Sequence, residues 1–146
     1  MNITKWDRRF LRLAKEVSTW SKDPSTQVGA AIVDNHNVVV SLGFNGFPQD
    51  IDDNEERLHN RELKYMMTIH AEMNAIMFAN RSIKNCTLYT YPFQPCSRCA
   101  ACIIQSGISK IVTIGLSETH SRWYNDFRNA RSMFEEASVE MVVHNE

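Results

Sequence analysis

The sequence has no apolar run approaching the roughly 18 residues of a membrane-spanning helix. Its opening segment, Met1 to Arg9, has no apolar core of the kind a secretory signal requires. A soluble, cytoplasmic protein with no membrane partner is expected. An excess of one charge is missing too: 16 Lys plus Arg stand against 17 Asp plus Glu, and no basic stripe occupies any segment. Affinity for a polyanion comes from clustered cations, so no nucleic-acid partner is expected, whereas a small anionic ligand needs only one or two of them. Internal repeats, low-complexity tracts and Gly/Ser/Pro-rich linkers are absent, with only 5 Gly and 4 Pro in 146 residues. A single domain over residues 1–146 is expected, long enough to bury about two thirds of its unfolded surface. Cysteine is scarce and confined: Cys86, Cys96, Cys99 and Cys102 share one short stretch, with no distant partner to staple. In a reducing compartment that grouping points to metal or catalysis before disulfides.

What is present alternates between two periodicities. Over residues 4–20, Trp6, Phe10, Leu13, Ala14 and Val17 recur at helical spacing, with Lys5, Asp7, Arg8, Arg9, Arg12, Lys15 and Glu16 on the other side. Residues 28–33 and 38–42 are short β-branched runs around the polar turn 34–37, which predicts a hairpin. Residues 49–61 are polar with few apolar anchors and read as a surface insert or lid, with a short helix at 55–62. A helix is expected from His70, with Ala71, Ala75, Ile76 and Ala79 on its apolar side. A strand at 86–91 must end at Pro92. Pro95 and Cys96 open a further helix that Gly107 is placed to cap. A buried-type strand follows at 110–115, then a helix at 122–137 and a strand at 139–143. Helix, hairpin, then alternating strand and helix imply one sheet covered by helices, the α/β class.

The residues that carry chemistry sit at two predicted helix starts. His70-Ala71-Glu72 opens one and Pro95-Cys96-Ser97-Arg98-Cys99 the other. A Cys-x-x-Cys at a helix N-terminus is a good chelate, because the helix dipole lowers thiol pKa and the spacing lets both sulfurs point one way. His70 supplies a third ligand, and three soft or borderline donors suit Zn²⁺ with one position left for water. Residues i and i+2 of a regular helix face nearly opposite ways, so His70 and Glu72 share a site only at a helix start, where dihedrals are freer. Glu72 would then manage protons of zinc-activated water. Paired in this order, His-x-Glu and Pro-Cys-x-x-Cys are the known signature of zinc deaminases of nucleobases.

The likeness extends well beyond that signature. Ser21-Lys22-Asp23-Pro24-Ser25-Thr26-Gln27-Val28-Gly29-Ala30, Gly43-Phe44-Asn45-Gly46-Phe47-Pro48, His70-Ala71-Glu72-Met73-Asn74-Ala75-Ile76 and Pro95-Cys96-Ser97-Arg98-Cys99 with Gln105-Ser106-Gly107-Ile108 resemble the deoxycytidylate deaminases across almost the whole chain. The resemblance implies a cytidine-deaminase-like three-layer α/β/α fold with a mixed five-stranded sheet, usually in a homo-oligomer. It implies hydrolysis of dCMP to dUMP and ammonia, feeding dTMP synthesis, with zinc-activated water attacking C4 while Glu72 carries its proton to N3. Deamination of dCTP, cytidine or a 5-substituted dCMP, and a non-catalytic zinc-stabilised subunit, are the alternatives. It further implies that Asn45 orients the nucleotide, that Ala71 lies beside the pyrimidine, that Ser25 and Thr26 serve the phosphate end, and that Pro95 belongs to the base pocket. Relatives are often activated by dCTP and inhibited by dTTP, with the Gly43–Pro48 segment as the place to look for that site. Two departures stand out. Several relatives carry extra Cys and His ligands for a second zinc in the insert, whereas residues 49–69 here hold only His59, so one zinc per chain is expected. The run Tyr91-Pro92-Phe93-Gln94-Pro95 also differs from the usual Ser or Thr shortly before Pro-Cys, which alters the base pocket.

Several residues keep two readings on sequence alone. Asn45, between two glycines, is a nucleotide contact or a turn residue. Arg81, Arg98 and Arg122 bind phosphate or sit in solvent. Trp123 and Tyr124 lie near the nucleotide or pack a helix. Cys86 and Cys102 are read as small buried hydrophobes.

Overall fold

A computed structural model describes residues 3–115 and 123–146 of the chain. Helix α1 (Lys5–Ser18) leads into a hairpin of β1 (Gly29–Val33) and β2 (Val39–Phe44). Two short helices, α2 (Glu55–His59) and α3 (Arg61–Met67), precede α4 (Ala71–Met77). The remainder alternates: β3 (Thr87–Tyr91), α5 (Ser97–Ser106), β4 (Lys110–Ile114), α6 (Tyr124–Glu136) and β5 (Glu140–His144). The strands form one mixed sheet in the order β2-β1-β3-β4-β5. β1 pairs antiparallel with both β2 and β3, while β3, β4 and β5 run parallel.

Successive strand residues face opposite sides of the sheet, and the core divides accordingly. Ala31, Val33, Tyr89, Val112 and Val142 pack with Phe10, Leu11 and Ala14 of α1. Ala30, Ile32, Leu88 and Ile111 pack on the other face with α4, α5 and α6, through Ala71, Ala75, Ile103 and Phe134. Both faces of β1 are therefore covered, and all five of its residues are buried. The three-layer α/β/α arrangement expected from the sequence is the one observed. Among the described residues no helix is long and apolar enough to cross a membrane.

This topology sets up the site. β2 and β3 are both antiparallel to β1 and so run the same way, which brings their carboxyl ends to one edge of the sheet. The chain leaving β2 reaches the start of α4 there, and the chain leaving β3 reaches the start of α5. Gly43 on β2 makes the first junction tight: a Cβ on it would run into the backbone of Ala71 and Ala75 in α4. The amide of Asn74 donates to the Phe44 carbonyl at 2.8 Å and locks the same contact. α5 ends where expected, at Gly107, in the left-handed conformation with φ of 89°.

Some expectations require correction. The insert forms two helices and not one, because Asn60 ends α2 and its side chain accepts the Leu63 N–H to begin α3. It is also anchored, through buried Leu58. Cys86 is buried as expected, but Cys102 is exposed on α5. α5 buries its stripe through Cys99, Ala100 and Ile103, and Cys102 falls outside that stripe. Asp7, placed by periodicity on the polar side of α1, is buried, while Trp6 is 42% exposed with Arg9 stacked over its ring.

Asp7 is buried because it satisfies two elements at once. One carboxyl oxygen accepts the Thr4 N–H, closing a capping box with the Thr4 hydroxyl at the start of α1. The other accepts the Tyr89 hydroxyl of β3 at 2.8 Å. Burial alone would raise its pKa, but the bonds from Thr4 and Tyr89 and the Lys110 charge bring it below its ordinary 3.8. A depressed carboxyl stabilises the fold fully above its unfolded value, and that contribution is lost as pH falls through the folded one. Asp7→Ala is expected to cost about 2–3 kcal/mol at neutral pH, since it strands the Tyr89 hydroxyl and the Thr4 N–H. In urea melts the gap from wild type should narrow as pH drops below 3.8; a gap independent of pH would contradict this role.

Candidate active site and metal centre

His70 and Cys96 are the N-cap residues of α4 and α5, both with extended backbone (ψ of 153° and 172°), and neither side chain caps its own helix. An N-cap residue ordinarily turns its side chain back to the first free N–H groups. Here both side chains turn toward each other across the sheet edge, and Cys99, one turn into α5, joins them. His70 Nδ1 lies 3.2 Å from Cys99 Sγ and 3.5 Å from Cys96 Sγ. The ligand atoms of the three residues all lie within 4.8 Å of one another, and they form the one such metal-competent group among the described residues.

The donor set fits zinc on geometry and on charge. With Zn–S of about 2.3 Å and Zn–N of about 2.0–2.1 Å, the N···S edge of a zinc tetrahedron is about 3.5 Å, close to the observed separations. The thiol of Cys99, then His70 and the Cys99 N–H, stabilise the Cys96 thiolate, whose pKa is lowered to about 4 against the opposing effect of burial. Cys99 is pushed up by its bond to Cys96, by burial and by the Glu72 charge. His70 is raised mainly through its hydrogen bond to Cys96. The groups thus compete for protons in one small corner, and a divalent cation bound there takes the place of those protons.

Glu72 stands beside this cluster at the second position of α4, 4% exposed. Burial pushes its carboxyl above its ordinary value, against the pull of the His70 charge. The sequence argument that His-x-Glu works only at a helix start matches the observed N-cap placement of His70.

A cavity of ≈ 590 Å³ opens from the metal cluster, within the range of small-molecule sites. His70, Ala71, Glu72 and Cys96 form its floor. Asn45, Thr26 and Ser25 form one wall. Asn45 is nearly buried: its Oδ1 accepts the Val28 N–H at 2.9 Å and its Nδ2 donates to the Thr26 carbonyl at 2.8 Å. It therefore fixes the loop that lines the cavity as well as facing it. Pro95 does not line the cavity: it is fully buried behind Gln94 and Cys96, which do. Trp123 also lines the cavity, with Phe93 and Phe127, the three ring centres within 6.3 Å of one another, whereas Tyr124 lies outside the lining. Arg81 pairs with Asp34 and Arg98 is exposed, both away from the cavity; Arg122 lies outside the described residues.

Sequence reasoning missed three parts of the site. Asp126 accepts both the N–H and the hydroxyl of Ser97, holding the start of α5 from α6. Gln94 bonds to Arg131 and to the Phe127 carbonyl, tying the loop before Cys96 to the same helix. Arg61, Lys64 and Tyr65 of α3 also line the cavity, with Lys64 against Ser25. None of these stands within a spacing pattern that marks a ligand, and each is brought in by tertiary packing.

Two thiols and an imidazole placed for zinc, with a buried carboxyl beside them in a roomy cavity, are the groups of a zinc-dependent hydrolase. The sequence pattern of the family described as "Cytidine and deoxycytidylate deaminase zinc-binding region" matches residues 4–114. The chain belongs to that zinc-dependent deaminase family. It is 47% identical over 141 residues to a protein of Aliivibrio fischeri named "Uncharacterized deaminase in luxG 3'region", covering 96% of this chain and 94% of that one. It is 39% identical over 114 residues to the deoxycytidylate deaminase of Homo sapiens, covering 74% of this chain and 64% of the human one. The fold resembles that of the dCMP deaminase of cyanophage S-TIM5, solved in complex with dCMP and dUMP, with a TM-score of 0.76 and 21% identity over 99% of this chain and 100% of the phage chain.

Metal analysis of the purified protein is expected to give one zinc per chain, and Cys99→Ala to lose it. A value near two would place a further site outside the cluster. Gly43→Ala, which drives β2 from α4, should cost about 1–3 kcal/mol by overpacking and lower zinc retention in a chelator challenge; unchanged retention would show that the Gly43 contact does not hold His70 in place.

Proposed function

We propose that this chain hydrolyses the 4-amino group of a free cytosine deoxynucleotide, converting dCMP to dUMP and ammonia and so supplying dUMP for dTMP synthesis. The observation that carries the reading is the buried Glu72 carboxyl set beside the His70, Cys96 and Cys99 cluster on the floor of a cavity large enough for a nucleotide. Zinc bound there supplies a Lewis acid that lowers the pKa of water. Glu72 would take one proton from the attacking water and deliver it to N3 of the pyrimidine, then carry the second, from the hydroxyl added at C4, to the 4-amino group, which leaves as ammonia, the double duty of a general base and acid. Burial of Glu72 suits this role, since a carboxyl raised toward the working pH both takes up and gives back a proton. Ala71, on the floor, lies beside the base, and the wall of Asn45, Thr26 and Ser25 receives the sugar and phosphate. The relatives named deoxycytidylate deaminase and the dCMP and dUMP bound by the phage protein support the choice of substrate. A homo-oligomer controlled by dCTP and dTTP through the Gly43–Pro48 segment belongs to the same reading.

Loss of cytosine absorbance with dCMP, dCTP, cytidine and a cytosine-containing oligonucleotide tests it. Turnover of dCMP above the other three is expected, with Glu72→Ala reducing kcat by roughly 10²–10⁴-fold while zinc stays bound. Turnover of the oligonucleotide alone, or undiminished activity in the variant, would overturn the reading. The regulatory part predicts a dCMP saturation curve that dCTP and dTTP shift in opposite directions; a hyperbolic curve moved by neither would remove it.

A further inference from the structure

Part of the cavity lining comes from α3, the helix just before His70, and its chemistry differs from the rest. Arg61 and Lys64 both line the cavity. Lys64 Nζ lies 3.1 Å from Asp23 Oδ1 and 3.3 Å from Ser25 Oγ, with both charged side chains nearly buried, 13% and 11% exposed. A lysine so placed is neither a solvated surface charge nor a core residue. Its ammonium is fixed in the cavity wall beside a serine hydroxyl.

Asp23 does not depend on Lys64. The same Oδ1 accepts the N–H groups of Ser25 at 2.8 Å and Thr26 at 3.1 Å, which hold the carboxylate and the loop in place by themselves. Asp23 thus acts as an anchor that aims the ammonium, and an ammonium carries three donors, of which Asp23 and Ser25 engage two. Arg61, one helical turn earlier, adds a second cation to the lining, its guanidinium 5.3 Å from the centre of the Tyr65 ring. Arg61 and Lys64 against Asp23 leave net positive charge on this part of the lining.

Resting on the reading above, we infer that Lys64 is the specificity-determining residue for the 5′-phosphate: its ammonium, with the Ser25 hydroxyl, receives the phosphate of a nucleoside monophosphate and separates it from the free nucleoside. The insert between β2 and α4 is then part of the substrate site and not a surface elaboration.

The test compares zinc-loaded wild type, Lys64→Met and Lys64→Arg. It measures kcat/KM for dCMP and for deoxycytidine, and equilibrium dialysis of dUMP and deoxyuridine. Wild type should prefer the phosphorylated member of each pair. In Lys64→Met that preference should fall roughly 10- to 100-fold, the loss expected for one charge-assisted hydrogen bond, and Lys64→Arg should recover most of it. A ratio unchanged in Lys64→Met, with both members of a pair weakened equally, would show that Lys64 only latches α3 to the 23–26 loop, and would overturn the inference. Lack of any preference for the phosphorylated member in wild type would overturn it as well. A wild type that turns over neither substrate yet binds dUMP above deoxyuridine through Lys64 would sink the proposed reaction and leave the phosphate subsite standing.

Discussion

Two helix N-termini must meet at one sheet edge while each leaves its first N–H groups uncapped by its own leading side chain, and the rest of the site depends on that meeting. His70 and Cys96 face each other at the expense of the caps they would otherwise form. The resulting corner concentrates thiol, imidazole and carboxyl groups, running from exposed His70 to buried Cys99 and Glu72. His70, Cys96 and Cys99 are placed to hold a divalent cation there. Glu72 lies buried beside them.

The structure keeps those two N-termini together from several directions. Gly43 and Asn74 hold α4 against β2. Asp126 and Gln94 hold the start of α5 against α6. Asn45 holds the loop that completes the cavity wall. These contacts join segments far apart in the chain, so metal binding and closure of the domain are coupled in energy. On the remote face, Asp7 and Tyr89 do the equivalent work for α1 and the sheet.

The zinc ligands and Glu72 were legible in the sequence because their chemistry imposes spacing: Cys-x-x-Cys spans one helical turn, and His-x-Glu makes sense only at a helix start. The sheet order of helix, hairpin and alternating units was legible for the same reason, through periodicity. Lys64 was hidden because its segment looks like any solvated stretch; Asp23 and Ser25, which give it meaning, lie about forty residues away. Asp7 was misplaced because helical periodicity assigns a carboxylate to solvent, and nothing local reveals that Tyr89 will reach it. Cys102 was misplaced by the general tendency of cysteine to be buried, whereas the apolar stripe of α5 is already filled by Cys99, Ala100 and Ile103. Pro95 was expected at the base pocket, but the structure sets it behind the cavity wall and brings Phe93 and Gln94 to the surface of that wall.

The central claim is that the cluster of His70, Cys96 and Cys99 is an open catalytic zinc site and not a closed structural one. X-ray absorption at the zinc edge of the purified protein tests it most directly. The account predicts two sulfurs at about 2.3 Å together with two lighter scatterers at about 2.0–2.1 Å, one from His70 and one from exchangeable solvent. A shell of three sulfurs, or of four protein ligands unchanged by an added anion that displaces water, would contradict it.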